Sequence, residues 1–282
     1  MSRKEKTNVK TKSQIAKDQA NAKSQRRKTI SGFWDMVFVW YLVFGIYHRS
    51  IRLHRFFIGN AFTPATDVAI EDETLRHQWT SVLRLKENDA LIVLDGNGRE
   101  ADATILSITK KSVTIAIGEA RTIDERTRNV TLCCAVLRRE NFEWVVQKAT
   151  ETGVTRIIPL LTDRTVKLNL NTERLRRIAI EAIEQSGRVF LPAIEAPMSM
   201  ADAEAATAKT SRMFFQFRCS ETWQNTVDKN THVSCWIGPE GGWSQEEEAF
   251  VDGHQFLKAS LGPLTLRAET AAVIATYLAA RR

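Results

Sequence analysis

The sequence predicts an α/β protein in two parts: a small β-barrel-like domain, then a mostly parallel sheet covered on both faces by helices. Three observations predict it. Between residues 55 and 121 the apolar runs are short, β-rich and bounded by turn residues. After residue 128 such runs alternate with segments of helical period, the pattern of β–α units. The chain has 282 residues, 43% hydrophobic and 26% charged, enough for a sizeable core. With 13 Gly and 6 Pro it is neither collagen-like nor Gly-rich low-complexity sequence.

The first fifty residues stand apart. Residues 1–30 are basic and nearly free of large apolar side chains, so they cannot offset their ordering entropy and are expected to be disordered. Phe33 to Tyr47 is apolar, but as a helix it would reach only about 22 Å, short of the roughly 30 Å hydrocarbon core. No small-residue cleavage pattern follows, because His48-Arg49-Ser50-Ile51-Arg52 comes next. A transit peptide stays open, although Lys predominates over Arg. Residues 1–50 are expected to lie outside the fold, as a misassigned start would leave them. The two domains are then 51–122 and 123–282.

In the first domain Arg55 to Ile58 is a short strand, and Glu73 to Leu83 a helix. Ala90 to Leu94 is a strand ending in Asp95-Gly96-Asn97-Gly98, a strong hairpin turn. Ala101 to Ile108 and Ser112 to Ile117 follow as strands. Thr122 to Arg128 is charged and aperiodic, and reads as the linker.

In the second domain Val130 to Leu137 is a buried strand. Asn141 to Thr152 is a helix, with Phe142, Val145, Val146 and Ala149 on one face and Gly153 as a left-handed cap. Arg156 to Leu161 is a strand. Thr172 to Ser186 is a helix stopped by Gly187, with Leu175, Ile178, Ala179, Ala182 and Ile183 on one face. Met213 to Phe217, Ser234 to Ile237 and Phe256 to Leu261 are strands. Ala268 to Ala280 is a helix that is apolar nearly all round, which points to a second copy of the chain covering it.

Composition excludes several functions. The net charge is +7, but residues 1–30 alone carry +8 and the rest −1, so any nucleic-acid face in the folded part must be a local cluster. Four cysteines (Cys133, Cys134, Cys219, Cys235) are too few for a disulfide scaffold and read as small buried hydrophobes in a reducing compartment. Adjacent Cys133 and Cys134 would face opposite sides of a strand. The five histidines (His48, His54, His77, His232, His254) lack metal-ligand spacing, so no metal is expected.

Chemistry is expected at the carboxyl ends of the strands, where open α/β sheets bind ligands. Three segments lie there: Phe217-Arg218, Ile237-Gly-Pro-Glu-Gly-Gly-Trp-Ser244, and Leu261-Gly-Pro-Leu-Thr-Leu-Arg-Ala-Glu-Thr270. In the second, glycines permit close backbone approach, and Ser244 with Glu247 forms a capping box opening a helix whose N–H groups could hold an anion. It is neither a Walker loop nor a dinucleotide fingerprint.

These segments resemble the ribosomal RNA small-subunit methyltransferase E family, of the SPOUT class of S-adenosylmethionine-dependent enzymes. The resemblance rests on Ile237 to Ser244 and Leu261 to Ala271. Gln147-Lys-Ala-Thr-Glu-Thr-Gly-Val154, Glu181-Ala-Ile-Glu-Gln-Ser-Gly-Arg188, and Arg55-Phe-Phe-Ile58 with His77 to Arg84 support it in order. It covers roughly residues 52 to 280 and leaves residues 1–50 without a counterpart. Ala268 stands where the family usually has Thr, Leu264-Thr265-Leu266 where it is more like Arg-Ile-Leu, Thr152 where it has Leu, and Phe215-Gln216-Phe217-Arg218 departs from its acidic or His-Pro pattern. The first two changes adjoin the expected cofactor pocket and bear on affinity or rate.

The resemblance implies a PUA-like RNA-binding barrel followed by a SPOUT domain, an α/β knot with a trefoil-knotted parallel sheet. It implies a cytoplasmic homodimer joined through the knotted domain, and methyl transfer from S-adenosylmethionine to N3 of one uridine of 16S ribosomal RNA, free or in the small subunit. On that basis Arg267 is the candidate cation stabilising a uracil oxygen or the RNA phosphate, and Glu269 the candidate base, with Glu240 as a second. Phe217, Ile237, Gly238, Glu240, Gly241, Gly242, Leu261, Gly262, Leu266 and Arg267 are expected to contact the cofactor. Arg52, His54, Arg55, Arg138, Arg139 and Arg188 are the candidate RNA contacts. The competing readings are a non-catalytic RNA-binding protein of the same fold, a related enzyme with another RNA target such as a ribose 2′-oxygen, and a membrane-anchored protein resting on residues 33–47 alone.

Overall fold

The structure, a computed structural model, describes residues 53–125, 128–165, 170–217, 219, 221 and 232–281. Arg52, Arg218 and the expectations for residues 1–50 lie outside the described residues. Residues His54–Arg282 form one compact unit.

The first sheet holds β1 (Arg55–Phe57), β2 (Asp67–Ile70), β3 (Ala90–Leu94), β4 (Arg99–Ile108), β5 (Val113–Ile117) and β6 (Arg121–Thr122). Its order is β1-β3-β4-β5-β2, with β6 beside β4, and of these pairs only β1–β3 is parallel. The Asp95–Gly98 turn joins β3 to β4 as expected: the Asp95 carboxylate accepts from Asn97 N–H at 2.7 Å and Arg99 N–H at 3.0 Å. Helix α1 (Glu73–His77) runs on into a π-helical turn, Gln78–Val82, that drives Trp79 into the barrel core against Phe56.

The second sheet holds β7 (Asn129–Ala135), β8 (Arg156–Leu161), β9 (Ala193–Ile194), β10 (Met198–Ser199), β11 (Ser211–Phe215), β12 (His232–Ile237) and β13 (Leu257–Ala259). Every pairing among them is parallel, in the order β10-β8-β7-β12-β11-β13 with β9 beside β8. The helices are α2 (Arg139–Glu151), α3 (Thr172–Ser186), α4 (Met200–Ala206), α5 (Gln245–Gly253) and α6 (Ala268–Ala280).

Strand alternation divides the core between two faces. Val130, Leu132 and Cys134 of β7 join the cluster with Phe142, Val145, Val146 and Ala149 of α2 and Ala272, Ala275 and Ala279 of α6. Cys133 faces the other way, among Ile158, Leu160, Phe214, Trp236 and Trp243. Fully burying each of the larger side chains stabilises the fold by about 1.5–3 kcal/mol. From the β13 edge the chain returns inward, so that α6 covers the central strands β7 and β12. Among the described residues no helix is long and apolar enough to cross a membrane.

The linker region is anchored. Arg188 ion-pairs with Glu125 at 2.9 Å and donates to the carbonyls of Thr150 at 2.7 Å and Val154 at 2.8 Å. Glu125 also accepts from Val189 N–H. Four residues earlier, Glu184 accepts from Phe57 N–H of β1 at 2.9 Å. The Glu181–Arg188 segment therefore ties the barrel and the linker to the parallel sheet.

Candidate active site

The sheet order puts β12, β11 and β13 side by side, with Trp236 beside Phe214 and Phe215 beside Ala259. All three strands run the same way. The three segments expected to carry the chemistry thus leave the sheet at one end, next to each other.

The loop after β12 is shaped by its glycines. A Cβ at Gly238 would come within 2.8 Å of the Trp243 indole, so the loop folds flat over that ring. Trp243 packs on Phe214 with centroids 4.6 Å apart, and its Nε1–H donates to the Phe215 carbonyl at 3.2 Å. The indole thereby fastens the β12 loop to the end of β11. Gly242 has φ +72°, a conformation that favours glycine, and its N–H closes a turn onto the Pro239 carbonyl at 2.9 Å. Ser244 and Glu247 form the expected capping box. That helix end is already satisfied, because Glu246, Glu247 and Glu248 fill the first turn and oppose a further anion there.

The loop after β13 is more open. Gly262 has φ +127° with open space where a Cβ would stand, and Leu264 is exposed. Leu261 and Leu266 are half-buried. Arg267 occupies the N-cap position of α6 without a side-chain capping bond, and its side chain is 86% exposed with Nη1 4.0 Å from Glu269 Oε1. The Glu269 side chain is only 13% exposed, and its Oε2 is buried with no hydrogen-bond partner among the described residues. Glu240 is exposed on the neighbouring loop. Burial pushes the Cys134 thiol of β7 well above its ordinary range, and the negative charges of Glu240 and Glu269 push it further. Phe217 is exposed beyond β11, and Ile237 is buried at the end of β12.

The candidate RNA contacts separate into groups. Arg138 and Arg139 are exposed at the carboxyl end of β7, the same end as the loops. His54 is exposed beside β1. Arg55 is largely occupied by an ion pair with Glu100, whose other oxygen takes Arg121 Nε at 2.9 Å. Arg188 is a correction: it is 8% exposed and spends its donors on Glu125 and two carbonyls, so it has no face to offer a phosphate.

Sequence reasoning missed Asp163 and Arg164, which follow β8. Arg164 Nη1 donates to the carbonyls of Gly241 at 2.7 Å and Trp243 at 3.1 Å, and Asp163 N–H donates to Glu247 Oε1 at 2.9 Å. No local signal marks them, because their partners lie 77 to 84 residues onward. Among the described residues no His, Cys, Asp and Glu cluster is placed to hold a metal ion. A groove of about 550 Å³ between the barrel and α3 is lined by Phe57, Asn60, Asn97, Arg176 and Glu195, and by none of the strand-end loop residues.

The family described as an RNA methyltransferase domain matches residues 124–280, and an RNA methyltransferase PUA domain matches residues 80–118. The chain belongs to the ribosomal RNA small subunit methyltransferase E family. The protein of that name from Rickettsia conorii is 29% identical over 80% of this chain and 94% of its own length. The one from Synechocystis is 32% identical over 71% of this chain and 68% of its own. Among solved structures, the methyltransferase E of Neisseria gonorrhoeae bound to S-adenosyl methionine has TM-score 0.74 at 25% identity, covering 80% of this chain and 95% of that one. A Legionella pneumophila methyltransferase in complex with the same cofactor has TM-score 0.74 at 30% identity, covering 81% and 97%. The family architecture, a PUA-like barrel followed by a parallel SPOUT sheet, is the one observed.

Proposed function

We propose that this chain methylates N3 of a uridine in 16S ribosomal RNA, using S-adenosylmethionine, as a cytoplasmic homodimer. The observation that carries the reading is that the three strand-end segments leave one end of the sheet side by side, the last of them leading into Glu269 with its buried, unpartnered Oε2, in a chain of the methyltransferase E family.

The residues present fit the cofactor. Glu269 Oε2 is a spare buried acceptor, and Gly262 has open space where a Cβ would stand, room for a ligand to lie against the main chain. Gly238, Gly241, Gly242, Leu261, Gly262 and Leu266 would hold it mainly through main-chain atoms, with buried Ile237 at the end of β12 and exposed Phe217 at the rim. When bound, the cofactor supplies an electrophilic methyl group, and the hard chemistry is its own. The protein's task is to place the uracil nitrogen, a contribution worth up to about 7–11 kcal/mol in favourable systems.

Uracil N3 carries a proton and attacks poorly until it leaves. Glu269 is the acceptor proposed for that proton, with Glu240 as the second candidate. Arg267, exposed and held near Glu269, is the cation proposed to stabilise the charge that develops on a uracil oxygen. Arg138 and Arg139, at the same end of the sheet, are suited to backbone phosphates. The partly exposed Val273, Ile274 and Tyr277 of α6, with exposed Trp144 of α2, support a second copy packing on that face.

The test is transfer from labelled S-adenosylmethionine into small subunits from cells lacking the endogenous enzyme, with product nucleosides identified by mass. N3-methyluridine that disappears in Arg267→Ala is expected. Cofactor binding without any transfer would move the assignment to a non-catalytic RNA-binding protein of the same fold.

A further inference from the structure

We infer that Arg164 is a positioning residue that orients two peptides of the β12 loop and thereby sets affinity for the cofactor. The inference rests on the reading of that loop as the S-adenosylmethionine site. Both peptides are tied at both ends. The Gly241 carbonyl accepts from Arg164 Nη1 at 2.7 Å, while the N–H of the same peptide, on Gly242, donates to Pro239 at 2.9 Å. The Trp243 carbonyl accepts from the same nitrogen at 3.1 Å, while Ser244 N–H donates to Glu247 Oε2 at 2.8 Å. A peptide between two glycines has no side chain to restrain it and rotates cheaply. Here a charge-assisted bond supplies the restraint. The N–H groups of Glu240, Gly241 and Trp243, which have no partner among the described residues, are left as the loop's spare donors.

Gly241 supports the same conclusion. A Cβ there would lie 3.3 Å from Arg164 Cδ and 3.4 Å from Arg164 Cβ. Gly241 is not among the residues with positive φ, so its backbone would accept alanine. The missing side chain makes room for the arginine stem. Asp163 grips the helix end of the loop in the same way, through Glu247 and the Ser244 hydroxyl. Both residues follow β8, which is separated from β12 by β7. The connection after β8 therefore reaches across the end of β7 to hold its neighbour's loop.

The experiment uses the full chain with Arg164→Ala, Arg164→Lys, Gly241→Ala and the Gly241→Ala/Arg164→Ala double variant. It measures S-adenosylmethionine binding by calorimetry, steady-state KM and kcat, affinity for a ribosomal RNA fragment, and Tm. Arg164→Ala is expected to weaken cofactor binding about tenfold or more, the worth of a lost charge-assisted bond, with KM for the cofactor rising and kcat nearly constant. Arg164→Lys recovers part of the loss. Gly241→Ala weakens binding in the parent and adds little in the Arg164→Ala background, because the two act on one contact. RNA affinity and its salt slope stay as in the parent. Unchanged cofactor affinity with weakened RNA binding would overturn the inference and make Arg164 a phosphate contact. Additive losses in the double variant would overturn it too. If Arg164→Ala does not fold, a Gly241→Ala chain with parental cofactor affinity overturns it alone. A parent chain that binds no cofactor overturns the reading of the site itself.

Discussion

Arg188 and Glu184 sit four residues apart in one motif, and both serve the join between the barrel and the parallel sheet. An arginine after a glycine cap reads in sequence as a phosphate contact, because its three partners lie 34 to 63 residues away. Arg188→Met is expected to cost about 3–5 kcal/mol, since Glu125 loses its buried partner, and to lower Tm without changing the salt slope of RNA binding. Glu184 makes a pH prediction. Burial raises its pKa to about 7 from the ordinary 4.5, against the lowering effect of the Phe57 N–H and with help from Glu181. The folded state then holds a proton that the unfolded state has released, so stability falls as pH rises from 4.5 through 7, by a few kcal/mol at most. Glu184→Gln should flatten the Tm profile over that range. A profile as steep as the parent's would assign the titration elsewhere.

Element by element, what was legible in the sequence follows what side chains can announce. Helix α3 was legible from end to end, because Leu175, Ala179, Ala182 and Ile183 mark one buried stripe and Gly187, at φ +80°, stops it. α6 was equally plain, and so were β3, β8 and the capping box of α5. The missed elements lack such marks. β2 buries only Ile70, and its place is set by pairing with β5. α4 buries only Ala203, and β9 and β10 are two residues each, held by β8. Removing the capping hydroxyl by Ser244→Ala should cost about 1 kcal/mol of stability, read in denaturant titration. Gly238→Ala should do more harm to the site than to the fold. A methyl 2.8 Å from the Trp243 ring must displace the loop, so cofactor affinity should drop while secondary structure by circular dichroism persists.

For the whole molecule, strand–helix alternation was visible in the sequence but strand order was not. Which loops meet depends on β11 lying between β12 and β13, a fact of pairing that no single segment carries. The oligomer is tested at this scale. Tyr277 is 46% exposed on a helix otherwise rich in alanine, and Trp144 is 41% exposed on its neighbour α2. Tyr277→Glu, which places a charge on the proposed interface, should convert a dimer to a monomer in light scattering. A parent chain that is already monomeric at micromolar concentration removes the dimer. Chain order also has a consequence for synthesis. β7 pairs with β12 from Asn129 opposite His232 onward, and α6, the last helix, covers both. At about 5–20 residues per second, the roughly 100 residues between these strands take on the order of 5–20 seconds to make. For that interval the nascent chain carries one apolar strand edge without its neighbour, and its central layer stays uncovered until α6 leaves the ribosome.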